Sequence, residues 1–186
     1  MAFYSCSALA SADLSSVTTI GSNAFDGCTS LSGELNMPAL TTLNGYGQYF
    51  RNCSSLTKVK CLGKIDTINA GMFQNTSNMS ALQEVYLPYE CTTIKNDTFS
   101  NCANLTTIKQ YNKSIDQYAD DEQPVFNFIS RITSFGQGCF SNCSRLTLTA
   151  NDVINAVTIG TGAFSNSKLS GDLSFPYLET IGVYPF

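Results

Sequence analysis

Phenylalanine recurs along this chain at nearly constant spacing, and this periodicity limits the fold more than any other feature of the sequence. Consecutive members of the series are separated by 22, 25, 23, 26, 41, 24 and 22 residues. They are Phe3, Phe25, Phe50, Phe73, Phe99, Phe140, Phe164 and Phe186. A unit this short cannot bury a hydrophobic face alone, so successive units must stack and share one core. The sequence therefore predicts a solenoid.

Each unit carries the same short pattern around its phenylalanine, and the clearest copy ends at Leu105. Ile94 is followed by Phe99, Cys102 and Leu105, a spacing that fits neither the alternation of a strand nor one face of a helix. A step of the form apolar-x-Thr-apolar, such as Cys91 to Ile94, comes just before it. Threonine suits a pleated surface with one side in water, so this step predicts a short strand.

The composition narrows the classes of function. The net charge is -4 and only 13% of the residues are charged, so no basic patch is available for a phosphate backbone and nucleic acid is not expected as a partner. The chain has no histidine, which removes the commonest acid-base catalyst and metal ligand. We therefore expect that the protein is not an enzyme and that it binds neither a cofactor nor a metal ion. No apolar run approaches the roughly 18 residues of a membrane span, so no membrane insertion is expected.

Five of the eight cysteines occupy one repeated position, three residues after a phenylalanine. They are Cys6, Cys28, Cys53, Cys102 and Cys143. One interpretation is a column of buried free thiols that pack like small apolar side chains. The alternative is a disulfide between adjacent coils, because coils stacked about 4.8 Å apart bring neighbouring thiols within bonding reach. The chain has no Cys-x-x-Cys pair, which argues against a zinc site.

Asparagine occupies a second repeated position, just before the cysteine. It is found at Asn52, Asn75, Asn101, Asn142 and Asn166. A polar residue repeated at one inward turn usually hydrogen-bonds backbone groups that the turn leaves unpaired. These asparagines are therefore predicted to have a structural role.

Two insertions interrupt the regular repeat. Residues 43–50 form a link that is two residues longer than its counterparts, which predicts a bulge with Tyr46 and Tyr49 exposed. The larger insertion, at about residues 109–128, accounts for the 41-residue gap. It is predicted to be a loop, either a functional protrusion or a tolerated surface insertion. It lacks the twelve-residue Asp-x-Asp-x-Asp-Gly pattern of a calcium loop.

The pattern Ile-x4-Phe-x2-Cys-x2-Leu resembles the BspA-like leucine-rich repeats of bacterial surface proteins and some parasitic protists. Its carriers are Ile20/Phe25/Cys28/Leu31, Phe50/Cys53/Leu56, Ile94/Phe99/Cys102/Leu105, Phe135/Phe140/Cys143/Leu146 and Ile159/Phe164/Leu169. The resemblance implies an α/β repeat, a right-handed leucine-rich-repeat solenoid of about 7–8 coils with short parallel strands and short helical turns. We expect residues 1–186 to form a single domain, cut from a longer array because neither end carries a polar cap.

The resemblance also implies a non-enzymatic, adhesin-like binding module that is extracellular or at the cell surface. Outward strand positions carry both signs of charge and an aromatic ring, which suits a protein or glycan ligand on a host or neighbouring cell. The candidate ligand-binding residues are Lys58, Lys60, Glu84, Tyr86, Lys109, Tyr111, Tyr118, Asp120 and Asp121. The alternative is a structural spacer or virion-fibre-type segment that self-associates end to end through uncapped ends.

Overall fold

The computed structural model of the protein is a parallel-strand solenoid, and it describes residues 1–77, 79–111, 125–126 and 129–186. Its strands are short, as the sequence predicts. The first eight are β1 (Thr19–Gly21), β2 (Gly33–Asn36), β3 (Thr42–Asn44), β4 (Leu56–Cys61), β5 (Thr67–Ile68), β6 (Glu84–Leu87), β7 (Thr93–Ile94) and β8 (Thr107–Tyr111). They are followed by β9 (Val125–Phe126), β10 (Ser134–Phe135), β11 (Thr147–Thr149), α1 (Ala150–Val153), β12 (Thr158–Ile159), β13 (Lys168–Ser170) and β14 (Thr180–Ile181).

Two five-stranded sheets run along the solenoid. Sheet 1 has the order β2-β4-β6-β8-β9, and sheet 2 has the order β5-β7-β10-β12-β14. All pairings in the two sheets are parallel except that of β8 with β9, which is antiparallel. Two parallel pairs, β1-β3 and β11-β13, complete the described strands. The apolar-x-Thr-apolar steps of the sequence form sheet 2 and the β1-β3 pair, which confirms the strand prediction.

The phenylalanine series forms one continuous stack through the interior. Neighbouring ring centroids lie between 5.1 and 5.9 Å apart and the rings are nearly parallel. This is the offset-stacked geometry that aromatic pairs favour. Phe25 through Phe164 are buried, whereas Phe3 and Phe186 at the two ends of the stack are 43% and 45% exposed. We call the eight stacked rings the phenylalanine spine.

The backbone conformation that recurs from turn to turn explains why asparagine occupies the position before the cysteine. Asn52, Asn101, Asn142 and Asn166 have φ values of 59°, 62°, 59° and 57°, in the left-handed region that asparagine tolerates better than other residues with a side chain. The amide of Asn142 donates to Oδ1 of Asn101, and the amide of Asn166 donates to Oδ1 of Asn142, both at 2.8 Å. The predicted structural role is therefore correct, although these side chains bond to one another as well as to the backbone.

The Phe-x-x-Cys segments are tight turns. In each, the cysteine amide donates to the phenylalanine carbonyl three residues earlier, for example Cys102 N to Phe99 O at 3.0 Å. Within the described residues the one α-helix is α1, which has four residues. The prediction of a short helical turn in each coil is thus not confirmed. A helix needs a run of i to i-4 bonds. Here alternate amides of the turn bond to the neighbouring coil instead, as in Phe99 N to Cys139 O at 2.9 Å and Asn101 N to Ser141 O at 2.8 Å.

Candidate functional site on sheet 1

Alternation along sheet 1 places one set of side chains in the core and the other on an outward face. Leu35, Val59, Val85 and Ile108 lie opposite one another in register and are buried. Successive side chains on a strand point to opposite sides of a sheet. The residues between these positions therefore form the outward face of sheet 1. It consists of Glu34, Lys58, Lys60, Glu84, Tyr86, Thr107 and Lys109.

Opposite charges face each other across neighbouring strands on this surface. Lys58 in β4 pairs with Glu34 in β2, with Nζ 3.6 Å from Oε2, and with Glu84 in β6 at 3.5 Å. Lys60 reaches the other oxygen of Glu34 at 3.9 Å. The four side chains are each about one third to two fifths exposed. Cross-strand pairs of opposite charge favour this strand order, and they remain open to solvent and to a partner.

Aromatic residues extend the charged network to the next strand. The ammonium group of Lys58 lies 5.4 Å from the centre of the Tyr86 ring, within the range of a cation-π interaction. The Tyr86 ring is 6.1 Å from that of Tyr111. Lys58 therefore contacts two carboxylates and an aromatic face on this surface.

Tyr111, another of the predicted ligand-binding residues, is buried at the end of β8. Its side chain is 6% exposed, and its hydroxyl donates to the Lys60 carbonyl at 2.7 Å. Tyr111 also pairs with Val125 of the antiparallel strand β9. Its ring lies beside Tyr86 and its hydroxyl is held by β4, so it packs against the outward face instead of standing free in solvent.

The structure brings five of the nine predicted site residues together on one face. These are Lys58, Lys60, Glu84, Tyr86 and Lys109. Tyr118, Asp120 and Asp121 lie outside the described residues, and their part in ligand binding stays a prediction. The insertion was placed at about 109–128, but residues 109–111 belong to β8.

The bulge at residues 43–50 contains an exposed residue that the list of candidates did not include. Tyr46 is 98% exposed, whereas Tyr49, predicted to share its exposure, is fully buried. The Tyr49 hydroxyl donates to the Asn44 carbonyl at 3.3 Å and accepts a hydrogen bond from the Asn69 amide at 2.9 Å. The glycines on either side of Tyr46 are a sequence signal for this loop, since both have positive φ.

The cysteines are thiols rather than disulfides wherever the structure describes their state. In the repeated column each buried thiol donates to the phenylalanine carbonyl of the preceding coil, as in Cys102 Sγ to Phe73 O at 3.3 Å. Burial raises the pKa of Cys53, Cys91 and Cys102 to about 12. A thiol with so high a pKa is a poor nucleophile at neutral pH. Cys6 differs from the column prediction because it is exposed.

Neither a metal site nor a membrane span is found in the part of the chain that the structure covers. Its cysteine and acidic side chains form no group of three or more that could hold an ion. No helix there has the length and apolar character to cross a bilayer. The carboxylate of Asp152 is buried, but its oxygens accept hydrogen bonds from the backbone amides of Ile129 at 3.2 Å and Thr149 at 2.7 Å.

Comparison with known proteins agrees with the repeat pattern. A family model described as the BspA type leucine rich repeat region matches in six copies, over residues 1–120 and 80–186. Six copies are fewer than the 7–8 coils predicted. The crystal structure of a leucine-rich repeat protein from Bacteroides ovatus ATCC 8483 is also similar, at 14% identity over 97% of this chain and 70% of that chain, with a TM-score of 0.33. The comparison with curated proteins found no match. Because the family model covers the chain from end to end, this protein belongs to the BspA-type leucine-rich repeat family.

Proposed function

We propose that residues 1–186 form one repeat domain that acts as a non-enzymatic, adhesin-like binding module of a cell-surface or secreted protein. The observation that carries the proposal is the outward face of sheet 1. It displays charges of both signs and the Tyr86 ring on strands that are locked in register. Such a face offers a partner a preorganised surface, so few side chains lose freedom when the partner binds.

The chemistry of the chain supports binding rather than catalysis. No histidine is available as a general base, and the buried thiols have pKa values raised to about 12 or beyond. Of the buried carboxylates, Asp26 is held by Arg51 at 2.6 Å and Asp152 by backbone amides. A catalytic site needs a nucleophile or base that is accessible and has a suitable pKa. The buried thiols and the two buried carboxylates therefore have a structural role.

The outward face suits a protein or glycan ligand. Lys58, Glu34 and Glu84 balance one another in charge, so the face does not attract a polyanion as a basic stripe would. An aromatic ring surrounded by hydrogen-bonding side chains is typical of the centre of protein interfaces and of surfaces that recognise polar ligands. After the insertion the chain returns as β9, which pairs with the end of β8 at the edge of the same sheet.

The test is capture of immobilised proteins and glycans by the native chain and by the double variant Lys60→Ala/Tyr86→Ala. We expect the double variant to lose at least tenfold in affinity for whatever the native chain captures, since a central aromatic residue is commonly a binding hot spot. Lys95→Ala is the matched control. It removes an exposed lysine just after β7 of sheet 2 and should capture normally.

Two results would contradict the proposal. One is unchanged capture by the double variant, and the other is equal loss in the Lys95→Ala control. A chain that captures nothing and forms oligomers as its concentration rises would favour the spacer function, with end-to-end self-association in place of ligand binding.

A further inference from the structure

Sheet 2 and the β1-β3 pair occupy equivalent positions in successive coils, yet they are not joined. Within sheet 2 the strands pair in register, with Thr67 opposite Thr93 and Thr93 opposite Ser134. In the pair, Thr19 lies opposite Thr42. Between β3 and β5, whose residues are all described, no strand pairing occurs. The ladder of equivalent strands is therefore interrupted at one coil boundary.

Backbone hydrogen bonds close this interruption at both ends. At one end the Lys64 amide donates to the Leu40 carbonyl at 3.0 Å, and at the other the Gln48 amide donates to the Ala70 carbonyl at 3.0 Å. Between them lies a cleft of about 240 Å³. It is lined by Thr41, Leu43, Lys64, Ile65, Asp66, Thr67 and Asn69.

The longer link between β3 and the spine accounts for the interruption. Seven residues separate Leu43 from Phe50, whereas five separate Ile68 from Phe73. Phe50 stacks in the spine with its neighbours at 5.1 and 5.9 Å, so the spine does not absorb the extra length. The excess appears instead in the loop that carries Tyr46, and β3 stays with β1 while β5 joins β7.

The two strands turn unpaired backbone groups toward the cleft. The Thr42 amide donates to the Thr18 carbonyl beside β1, and the Lys95 amide donates to the Ile68 carbonyl of β5. The backbone groups of alternate residues in a parallel strand bond to opposite sides. The N–H and C=O groups of Leu43 therefore point toward β5, and those of Thr67 point toward β3. The bonds that join β3 to β1 and β5 to β7 lie on the other side of each strand, so neither pairing uses these backbone groups. The cleft thus offers two amide donors and two carbonyl acceptors.

The side chains add a balanced set of polar groups to these backbone groups. Lys64 and Asp66 carry opposite charges, and Thr41, Thr67 and Asn69 are neutral groups that both donate and accept. Leu43 and Ile65 provide an apolar surface beneath them. The lining suits a neutral ligand with many hydroxyl groups and an apolar ring face.

Other classes of ligand fit this cleft less well. An extended peptide would need a passage open at both ends, and the two closing hydrogen bonds block it. A divalent cation needs several oxygen ligands with more than one carboxylate, and the lining contains Asp66 alone. An anion would meet that same carboxylate. The volume is below the roughly 300 to 1,000 Å³ of pockets for drug-sized ligands, which favours a single sugar ring.

We infer that the cleft between β3 and β5 is a binding subsite for one neutral sugar ring of a glycan. Its hydroxyl groups pair with the Leu43 and Thr67 backbone and with the side chains of Asp66, Thr67 and Asn69. Tyr46, on the loop that follows β3, is free to stack on the next sugar of the same glycan, since its ring is 98% exposed. The subsite is separate from the outward face of sheet 1, so it stands whether or not that face binds a ligand.

The experiment is an NMR titration of the isotope-labelled native chain, in which the amide chemical shifts are recorded as each sugar is added. The sugars are glucose, galactose, mannose, fucose, N-acetylglucosamine and N-acetylgalactosamine. We expect at least one sugar to move the Leu43 and Thr67 amide signals, with a Kd on the order of 1 mM, as for other small ligands of this size. The Thr93 amide, in the paired part of the ladder, should not move. This measurement uses no variant and so does not depend on variant folding.

Substitutions then locate the contacts. Thr67→Val and Asp66→Ala should each weaken binding by about tenfold, the effect of one lost hydrogen bond in a polar site, and Thr93→Val is the matched control with no change expected. The inference is overturned if none of the six sugars moves the Leu43 or Thr67 signals. It is also overturned if a sugar binds equally well to the Thr67→Val, Asp66→Ala and native chains. Loss of capture by Lys60→Ala/Tyr86→Ala has no bearing on either result.

Discussion

Sheets 1 and 2 respond differently to the same insertion. In sheet 2, β7 and β10 pair in register although 41 residues separate Thr93 from Ser134, and the rings of Phe99 and Phe140 stack at 5.3 Å. In sheet 1, β8 is followed by the antiparallel β9, and among the described strands β11 pairs with β13 alone, in a separate sheet. The insertion therefore leaves the spine and sheet 2 intact and interrupts sheet 1.

The difference shows which contacts fix the register between coils. A buried ring stacked on two others loses dispersion and apolar burial if it slips, so a new coil is held to the spine wherever the chain resumes. The outward face of sheet 1 is joined across its strands by partly exposed ion pairs, which contribute little to stability. Substitutions on that face should therefore be tolerated better than substitutions in the spine, and this is where the proposed binding face lies.

Truncation of one interior ring is the strongest way to test this comparison. Phe99 is fully buried between Phe73 and Phe140, so Phe99→Ala should lower the free energy of unfolding by about 3 to 5 kcal/mol. Urea denaturation measures this loss. Phe3→Ala removes a ring that is 43% exposed and should cost clearly less. A loss below about 1 kcal/mol for Phe99→Ala would mean that the spine does not hold the coils in register.

The sequence predicts the spine well because one physical requirement acts at every coil. Each phenylalanine must occupy the same interior position, so its spacing reveals the period even across the insertion. The strand steps are predictable for the same reason, because Thr93, Ser134 and Thr158 occupy the same position in successive coils and pair with one another in sheet 2. The turn asparagines were also recognisable, although the left-handed backbone that requires them was identified only from the structure.

The parts that sequence reasoning missed depend on how excess length is accommodated. Tyr111 is a candidate ligand-binding residue from the sequence, but its side chain is buried against Tyr86 and the Lys60 carbonyl. The two extra residues before Phe50 predict a bulge, but not that Tyr49 folds back into the core or that β3 separates from β5. In each case the outcome is decided by contacts between coils, which a single repeat does not contain.

A second test concerns how closely the coils approach at sheet 2. Gly160 follows β12, and a Cβ atom there would lie 2.4 Å from the backbone nitrogen of Gln137 in the preceding coil. Backbone cannot move aside as a flexible side chain can, so we expect Gly160→Ala to lower the free energy of unfolding by about 1 to 3 kcal/mol. Thermal and urea unfolding both report this change.

Gly21 provides the matched control for this substitution. It follows Ile20 as Gly160 follows Ile159, but a Cβ at Gly21 would meet nothing within 4 Å. Gly21→Ala should therefore be neutral or slightly stabilising, because alanine restricts the unfolded chain. Equal losses at the two sites would indicate that the cost comes from the local backbone rather than from contact between coils.

The smallest expected effect belongs to sheet 1. Lys58→Ala removes the pairs with Glu34 and Glu84 and the contact with the Tyr86 ring, yet these groups are about one third or more exposed. We expect a loss below about 1 kcal/mol in the free energy of unfolding, and a smaller loss in 1 M salt, where charges are screened within about 3 Å. Urea denaturation at low and high salt, with Lys95→Ala as control, measures it. A loss above about 2 kcal/mol that salt does not reduce would show that the outward face of sheet 1 stabilises the solenoid, and the contrast with the spine would no longer hold.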